Sequence, residues 1–468
     1  MRIVVCIRQG RNGEAGPFDA CAYEAALRVE GAEVILLSMG VPAAEGYLSS
    51  LTRLGAAKAV LLTDRVFAGA DTLATAYALS LAIKKLSPDM VFCGRQTMEG
   101  DTAQVGPMLS ECAGFSLITN VTGILRIGNG SVLCRTRDGG EEHASFPVLL
   151  TIERINTLRL PSLRSKTAPV EVWSAADIGA DPARCGLTGS PTRVLSTCER
   201  EAGKRKCRFL SPEDFFGAVE EGISRRMGGT LKEKCLDACL PSVLCVGEGA
   251  AEYGKAVCSN VTITEENTPE AILSLIDRLA PSAVLWGSDM LSKRCAAKVA
   301  ARRRLGLCAD CTALDTDGET LFMIRPALSG SVTAKIKSLT KPALATVRTV
   351  EADVKDIVLS AGYGAASSLE DIKRLATRLG AELASSRKAV ENGLLPYETQ
   401  VGLTGRSVAP PVYIAIGVSG AVHHIVGMCR AGTVIAVNPD PEARIFEYAD
   451  YGIRLTAEEF FRAIGPCI

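Results

Sequence analysis

The sequence predicts an α/β protein made of Rossmann-like parallel sheets: two homologous α/β domains and a C-terminal doubly wound domain. Three observations predict it. Short apolar runs alternate with helix-period segments along the chain, the pattern of successive parallel βα units. A stretch of the first half recurs later in the same order and spacing, as a duplicated domain would. In the last part, polar and glycine-rich turns follow each apolar run, and doubly wound sheets bind ligands at such strand ends.

Taken in order, residues 2–8 (RIVVCIR) read as the first strand and 19–30 (DACAYEAALRVE) as a helix with Asp19 as its N-cap. Further strands are expected at 33–39 (EVILLSM), 59–63 (AVLLT) and 90–94 (MVFCG). Two turn signals, GNG and DGG, flank VLCRTR within 128–140 and predict an antiparallel hairpin. Residues 159–212, rich in Pro, Gly, Ser and Thr, read as a long irregular segment, and 212–229 as a lone amphipathic helix closed by two glycines. A new strand at 242–249 (SVLCVGEG) opens the second α/β unit, and 350–364 crosses a charged joint into a third. The expected domains are 1–195, an arm over 196–229, 230–350 and 351–468.

The repeat aligns LSPDMVFCG (86–94) with LAPSAVLWG (279–287), and FPVLLTIER (146–154) with KPALATVRT (341–349). VLCRTR and LFMIRP hold similar places between them. The copies diverge after the shared strand, where the first reads RQTMEGDTAQVGP and the second SDMLSKRCAAKVA.

Composition narrows the function. At roughly 150 residues per domain, 468 residues make about three domains. With 52 Lys+Arg against 52 Asp+Glu, the chain lacks the basic excess of a nucleic-acid or membrane-surface binder. No run of 18 apolar residues is present, so no spanning helix is expected. The start reads as a strand and not as a signal sequence. Together with 17 Cys, an odd number, that favours reduced thiols and a cytoplasmic protein. Cys308-x-x-Cys311 and Cys235-x-x-x-Cys239 lack the paired knuckles of a zinc site, and His143, His423 and His424 are the only histidines. No metal is expected; the cysteines read as small buried hydrophobes, with a thioredoxin-like redox pair at Cys308 and Cys311 as the competing reading.

Two clusters carry the chemistry. Gly100-Asp-Thr-Ala-Gln-Val-Gly106 lies between a predicted strand and a predicted helix, where free backbone N–H groups and the helix dipole suit a phosphate. Thr102 and Gln104 add side-chain donors; the competing reading is that Asp101 or Thr102 simply caps the helix. The second copy lacks these residues and reads as a structural partner. In the last part, Ser385-Ser386-Arg387, Gln400 to Arg406, Gly417 to His424 and Val437-Asn438-Pro-Asp440 form the recurring turns. Together they favour a large dinucleotide-like ligand. Of the adjacent His423 and His424, at most one faces it. No Ser-His-Asp set, P-loop or Gly-x-Gly-x-x-Gly fingerprint is present, and no catalytic residue is assigned.

With these residues in view, the chain resembles an electron-transfer flavoprotein whose beta and alpha subunits are fused. Residues 1–228 resemble the beta subunit through VVCIRQ, PFDACAYEAALR, GDTAQVGP, PSLR and GSPTRV. Residues 240–468 resemble the alpha subunit through CADCTAL, RPALSGS, SSRKAVENG, QVGLTGR, IAIGVSGAVHH and VNPDPEARIFEYADYGI. The resemblance implies an FAD site at Ser386, Arg387, Gln400, Val401, Gly402, Thr404, Gly405, Ser419, Gly420, Ala421, His424, Asn438 and Asp450. It implies AMP, or a second FAD in electron-bifurcating members, at Cys6 and at Gly100, Asp101, Thr102, Gln104, Val105 and Gly106. The spelling GRQTMEGDTAQVGP is nearer the bifurcating form. The family carries electrons from acyl-CoA dehydrogenases or similar flavoenzymes, and bifurcating members also use NADH and ferredoxin or flavodoxin. The implied alternatives are a single-FAD shuttle with structural AMP and a redox-inactive nucleotide-binding regulatory protein. Tyr363 stands where the family carries an arginine, a change that implies a lower flavin potential. The segment before Phe18 is short, and the alpha-like half lacks a full first βα unit. The arm implied by the family holds the FAD domain.

Overall fold

The computed structural model describes residues 1–10, 13–97, 99–199, 204–225, 238–327, 332–350 and 354–465. The chain divides into two compact units. Unit 1 comprises Met1–Thr197, Cys235–Leu328 and Ala334–Val347; unit 2 comprises Cys198–Lys234, Ser329–Thr333 and Arg348–Ile468.

Unit 1 begins with β1 (Arg2–Cys6), α1 (Pro17–Leu27), β2 (Glu33–Met39), α2 (Ala44–Thr52), β3 (Lys58–Leu62), α3 (Thr72–Leu86), β4 (Met90–Gly94) and α4 (Val105–Ala113). There follow β5 (Ser116–Gly128), β6 (Ser131–Thr136), β7 (Glu141–Ser145), β8 (Val148–Ile152), β9 (Val170–Trp173) and β10 (Thr192–Glu199). The sheet order is β7-β6-β5-β8-β4-β1-β2-β3-β9. Its central parallel strands are apolar runs buried on both faces, such as Ile3, Val4 and Val5 in β1. The expected hairpin forms between β5 and β6, turning at Asn129-Gly130, both at positive φ. Helix α3 starts because the Asp71 carboxylate accepts from the Leu73 and Ala74 amides, each at 3.0 Å.

Next come β11 (Arg208–Phe209) and α5 (Phe215–Ser224), which belong to unit 2. The segment read as an arm is thus partly built into that unit. Strand β11 pairs with its last strand, Phe215 packs edge-on against Phe460, and Tyr451 donates to Glu221 at 2.7 Å. The two glycines read as closing the helix, Gly228 and Gly229, lie outside the described residues, as does Cys235.

The chain returns to unit 1 with β12 (Val243–Val246), α6 (Glu248–Lys255), β13 (Val261–Thr264), α7 (Pro269–Leu279), β14 (Ala283–Trp286), α8 (Met290–Arg303) and β15 (Leu307–Cys311). Strands β16 (Ala313–Thr316), β17 (Leu321–Ala327), β18 (Val332–Ser338) and β19 (Ala343–Val347) complete it. The order β13-β12-β14-β19-β15 matches β2-β1-β4-β8-β5 strand for strand, so the repeat read in the sequence is a repeat in the fold. Helices α4 and α8 occupy equivalent places and pack together.

Unit 2 continues with β20 (Ile357–Ala361), α9 (Leu369–Leu379), β21 (Glu382–Ser385), α10 (Arg387–Glu391), β22 (Val412–Ile416), α11 (Val422–Met428), β23 (Thr433–Val437), β24 (Tyr451–Ile453) and α12 (Ala457–Ile464). Its sheet, β11-β24-β23-β22-β20-β21, is parallel throughout. From β20 the chain runs outward to β21 and then back past β20 to β22. The topological switch point therefore lies between β20 and β22.

Two local expectations are corrected. Asp19 is not an N-cap: α1 starts earlier, with Gly16 at the cap and Pro17 in the first turn, the position proline suits best. Residues 159–212 are not irregular throughout, since they supply β9, β10, β11 and short helical turns; edge strands with exposed residues such as Val172 and Val194 lack the apolar run that betrays a buried strand. Among the described residues no helix is long and apolar enough to cross a membrane, and no cluster of three or more His, Cys, Asp or Glu could hold a metal ion.

Candidate functional site

Unit 1 carries a cavity of about 580 Å³, within the range of small-molecule sites. On one side are the ends of β1 and β4 (Cys6, Cys93) and the turn from Gly100 to Gly106; on the other are Cys308 and Arg325 of the second copy. Leu37, Met39, Phe67 and Leu79 form an apolar wall. All six turn residues read from the sequence are brought together, and Cys6, Gly100, Thr102, Gln104, Val105 and Gly106 line the cavity.

The turn is held by its neighbours. Asp101, buried and at φ +50°, accepts from Gln96 Nε2. Neither Asp101 nor Thr102 caps α4, and no side chain does. Gln104 sits at that uncapped end, 3% exposed. Its Oε1 accepts from Thr72 Oγ1 at 2.9 Å, while its buried Nε2 has no partner. A buried donor without a partner is costly, so this amide and the open helix end fit an anionic, hydrogen-bond-accepting ligand. Gly106 has another reason to be glycine: a Cβ there would meet Thr151 Cγ2 at 2.5 Å.

The sequence reading missed two residues here. Arg325, on β17 and 5% exposed, donates from Nη2 to the carbonyls of Gly100 at 3.0 Å and Asp101 at 3.2 Å. The second copy therefore braces the first copy's turn. An arginine inside an otherwise apolar run (LFMIRP) is the signal that could have found it, because a buried charge needs partners. The second is Asp19. Its carboxylate accepts from the Arg8 amide at 3.0 Å and lines the cavity. Burial pushes its pKa up to about 7, against the lowering effect of Arg8 and the Gly94 amide.

In unit 2 the turns after β20 and β22 meet at the switch point. They approach so closely that a Cβ on Gly362 would lie 1.9 Å from Gly417 O. Ser386 and Arg387 follow β21, and Ser419, Gly420 and Ala421 follow β22. Ser419 and Ala421 are exposed, and Ser386, Arg387, Thr404 and Gly405 are partly so. The turn from Gln400 to Arg406 is tied internally: Gln400 Nε2 donates to Thr404 Oγ1 at 2.8 Å, Tyr397 donates to Thr404 O, and the Leu403 amide donates to His423 O at 2.6 Å. Arg348, also 5% exposed and also missed, donates to the carbonyls of Gly402 (3.1 Å) and Leu403 and to Ser407 Oγ (3.1 Å). Val401 and Gly402 are buried within this turn.

Other residues read from the sequence stand differently. His424 is turned toward the sheet: Nε2 lies 2.9 Å from Tyr413 Oη, and burial lowers its pKa to about 4, keeping it neutral. Asn438 braces the neighbouring turn, donating to Val418 O at 2.9 Å. Asp450 is not brought to this group; it lies toward the amino ends of the strands, accepting from the Val434 amide at 2.8 Å and pairing with Arg205. Its place at the start of a short strand is not visible in the spacing. Arg387 pairs with Glu391 at 2.7 Å. Tyr363, exposed, has Lys388 Nζ 4.7 Å over its ring, so a cation stands beside the phenol. The accessible hydroxyls and cations of this set fit a phosphate-bearing dinucleotide.

Comparison with known proteins decides the family. The electron transfer flavoprotein domain matches residues 3–178 and 259–373, and the electron transfer flavoprotein FAD-binding domain matches 352–429. The chain belongs to the electron transfer flavoprotein family. It is 34% identical over 236 residues to the electron transfer flavoprotein subunit alpha of Thermoanaerobacterium thermosaccharolyticum, covering 41% of this chain and 72% of that protein. It is 31% identical over 242 residues to Protein FixB of Rhizobium meliloti, covering 42% and 69%. It is also 29% identical over 234 residues to the subunit alpha of Bacillus subtilis, covering 41% and 72%. The flavoprotein domain match falls on both fold copies, and the FAD-binding match falls on the switch-point turns of unit 2.

Proposed function

We propose that this flavoprotein fuses a beta-like half (1–195) and an alpha-like half (230–468), with its FAD domain over 351–468. It carries electrons through FAD held by unit 2, and holds a second FAD in the unit 1 cavity. Ser386, Arg387, Thr404, Ser419 and the backbone of Gly402, Gly405, Gly420 and Ala421 would hold the first cofactor, with Tyr363 beside them. FAD supplies reversible electron uptake when bound. The chain's own contribution is a turn already shaped by Gln400, Tyr397 and Arg348, and a neutral His424 behind it.

The observation that carries the second site is the unpartnered Gln104 Nε2 at the uncapped start of α4. The apolar wall of Leu37, Met39, Phe67 and Leu79 favours a second flavin over AMP, because it offers a surface for a ring system beyond the phosphate end. Electrons would enter from flavoprotein dehydrogenases of the acyl-CoA dehydrogenase type. With two flavins the chain would also oxidise NADH and divide its electrons between ferredoxin or flavodoxin and a higher-potential acceptor, as a cytoplasmic protein.

Flavin and nucleotide content of the purified protein tests this. Two flavins per chain support the reading. One flavin with one AMP reduces it to a single-FAD shuttle. No flavin on reconstitution leaves a nucleotide-binding regulatory protein.

A further inference from the structure

Cys308 and Cys311 lie on β15, and nucleotide binding gives them no role. The strand is irregular between them: its register against β19 shifts, and Asp310 takes φ +53°. Asp310 is fixed there, its amide donating to Thr346 Oγ1 at 2.9 Å and its carboxylate pairing with Lys293 Nζ at 2.8 Å. In a straight strand, residues three apart are about 10 Å apart on opposite faces. Here the irregularity sets Cys308 opposite Ala345 and Cys311 opposite Val347, two residues apart and so on one face, and Cys311 Sγ donates to the Cys308 carbonyl at 4.0 Å. Cys308 lines the unit 1 cavity, and Cys311 lies fully buried behind it. The Cys311 thiol, helped by the Arg325 guanidinium, holds Cys308 below the usual thiol range; the same contact and burial push Cys311 up. An acidic thiol on a cavity wall, backed by a protonated one, is the arrangement of an attacking and a resolving cysteine.

We propose that Cys308 and Cys311 are a redox-active dithiol on the cavity wall, converted to a disulfide by low-molecular-weight disulfides of the glutathione class. The Cys308 thiolate attacks one sulfur of the glutathione disulfide, whose S–S bond breaks to release one glutathione thiolate. Cys311 gives its proton to that thiolate and displaces the second glutathione from Cys308, forming the Cys308–Cys311 bond. The second glutathione takes up a solvent proton, equivalent to the one Cys308 had already released. The pair is oxidised by two electrons and one glutathione disulfide is reduced to two thiols. The dithiol does not depend on the nucleotide, but its access does: a ligand in the cavity would cover Cys308.

The test uses the intact reduced protein, equilibrated in glutathione buffers of increasing oxidation, acid-quenched, alkylated and mapped by mass. The expected result is loss of both alkyl adducts from the peptide carrying Cys308 and Cys311, with loss of two hydrogen masses, reversed by dithiothreitol. Cys311→Ser is expected to trap glutathione on Cys308, and Cys308→Ser to leave Cys311 unmodified. Persistence of both adducts in every buffer, glutathione on Cys311, or a disulfide at Cys6–Cys93 instead would overturn the proposal. A parallel arm adds FAD or AMP before oxidation. Slower oxidation supports a nucleotide in this cavity. An unchanged rate with the disulfide still forming rejects the nucleotide site and leaves the dithiol standing.

Discussion

Units 1 and 2 hold their glycine-rich turns with the same device and leave different things free. In each, one deeply buried arginine from a strand or strand end grips two consecutive carbonyls: Arg325 those of Gly100 and Asp101, Arg348 those of Gly402 and Leu403. In unit 2 the glutamine of the turn is engaged, Gln400 Nε2 donating to Thr404. In unit 1 the corresponding amide, Gln104 Nε2, is not. One turn is finished by its own side chains, and the other leaves a buried donor unpaired. The brace in unit 1 comes from the copy that carries no glycine turn at the equivalent place, where it reads SDMLSKRCAAKVA.

The sharpest way to break the comparison is to remove the braces. Arg325→Met strands the carbonyls of Gly100 and Asp101, while Arg348→Met strands that of Leu403, since Gly402 O keeps the Gly405 amide. At roughly 1–3 kcal/mol for each unpaired group, about 2–6 kcal/mol is expected for Arg325→Met and about 1–3 kcal/mol for Arg348→Met. Denaturation followed alongside nucleotide content is expected to show Arg348→Met losing the C-terminal flavin first, and Arg325→Met losing the unit 1 nucleotide first. Equal loss of both ligands in both variants would refute independent braces.

The units should also respond to pH with opposite sign. Asp19 is raised from 3.8 to about 7 by burial, so between those values the folded state holds a proton the unfolded chain has lost. Unit 1 then loses stability as pH rises through that window, by up to about 4 kcal/mol at 1.36 kcal/mol per unit. His424 is lowered from 6.5 to about 4 by burial, so the unfolded chain binds the extra proton. Unit 2 loses stability as pH falls from 6.5 toward 4, by up to about 3 kcal/mol. Hydrogen exchange resolved by unit measures both slopes. Asp19→Asn is expected to flatten the first and His424→Gln the second.

A smaller effect separates packing from binding. Gly106→Ala places a Cβ 2.5 Å from Thr151 Cγ2, an overpacking worth roughly 1–3 kcal/mol. It should lower the melting temperature of unit 1 even with nucleotide saturating. This packing reason for Gly106 is not legible in the sequence, and the cause is general. Composition and order reveal that a turn exists and which strand it follows, as they did for both clusters and for the repeat. They do not reveal what lies across the space it faces. Arg325, Arg348 and Asp19 act over more than fifty residues of chain or across a helix start, and only the folded sheet brings them to their carbonyls and amides. Asp450 was misplaced for the same reason: its strand begins level with the middle of β23, so it is set toward the opposite end of the sheet.

The finest test is Gln104→Leu. The side chain keeps its place between α3 and α4, the Thr72 hydroxyl loses its acceptor, and the unpartnered Nε2 disappears with it. Losing a neutral hydrogen bond costs about 1 kcal/mol, but removing a buried amide that lacks one partner returns part of that, so the ligand-free protein should be nearly as stable as before. Binding is where the change must show. If the amide completes a bond only to a ligand, nucleotide affinity in unit 1 falls about tenfold, the equivalent of 1.4 kcal/mol, while flavin retention in unit 2 is unchanged. Titration of the two variants Gln104→Leu and Gln104→Glu separates shape from charge: the carboxylate presents an acceptor to an anionic ligand and should weaken binding further than leucine does. Affinity equal to that of the unaltered protein in both variants would mean that the free amide is a vacancy in packing, and that the contrast with Gln400 carries no functional weight.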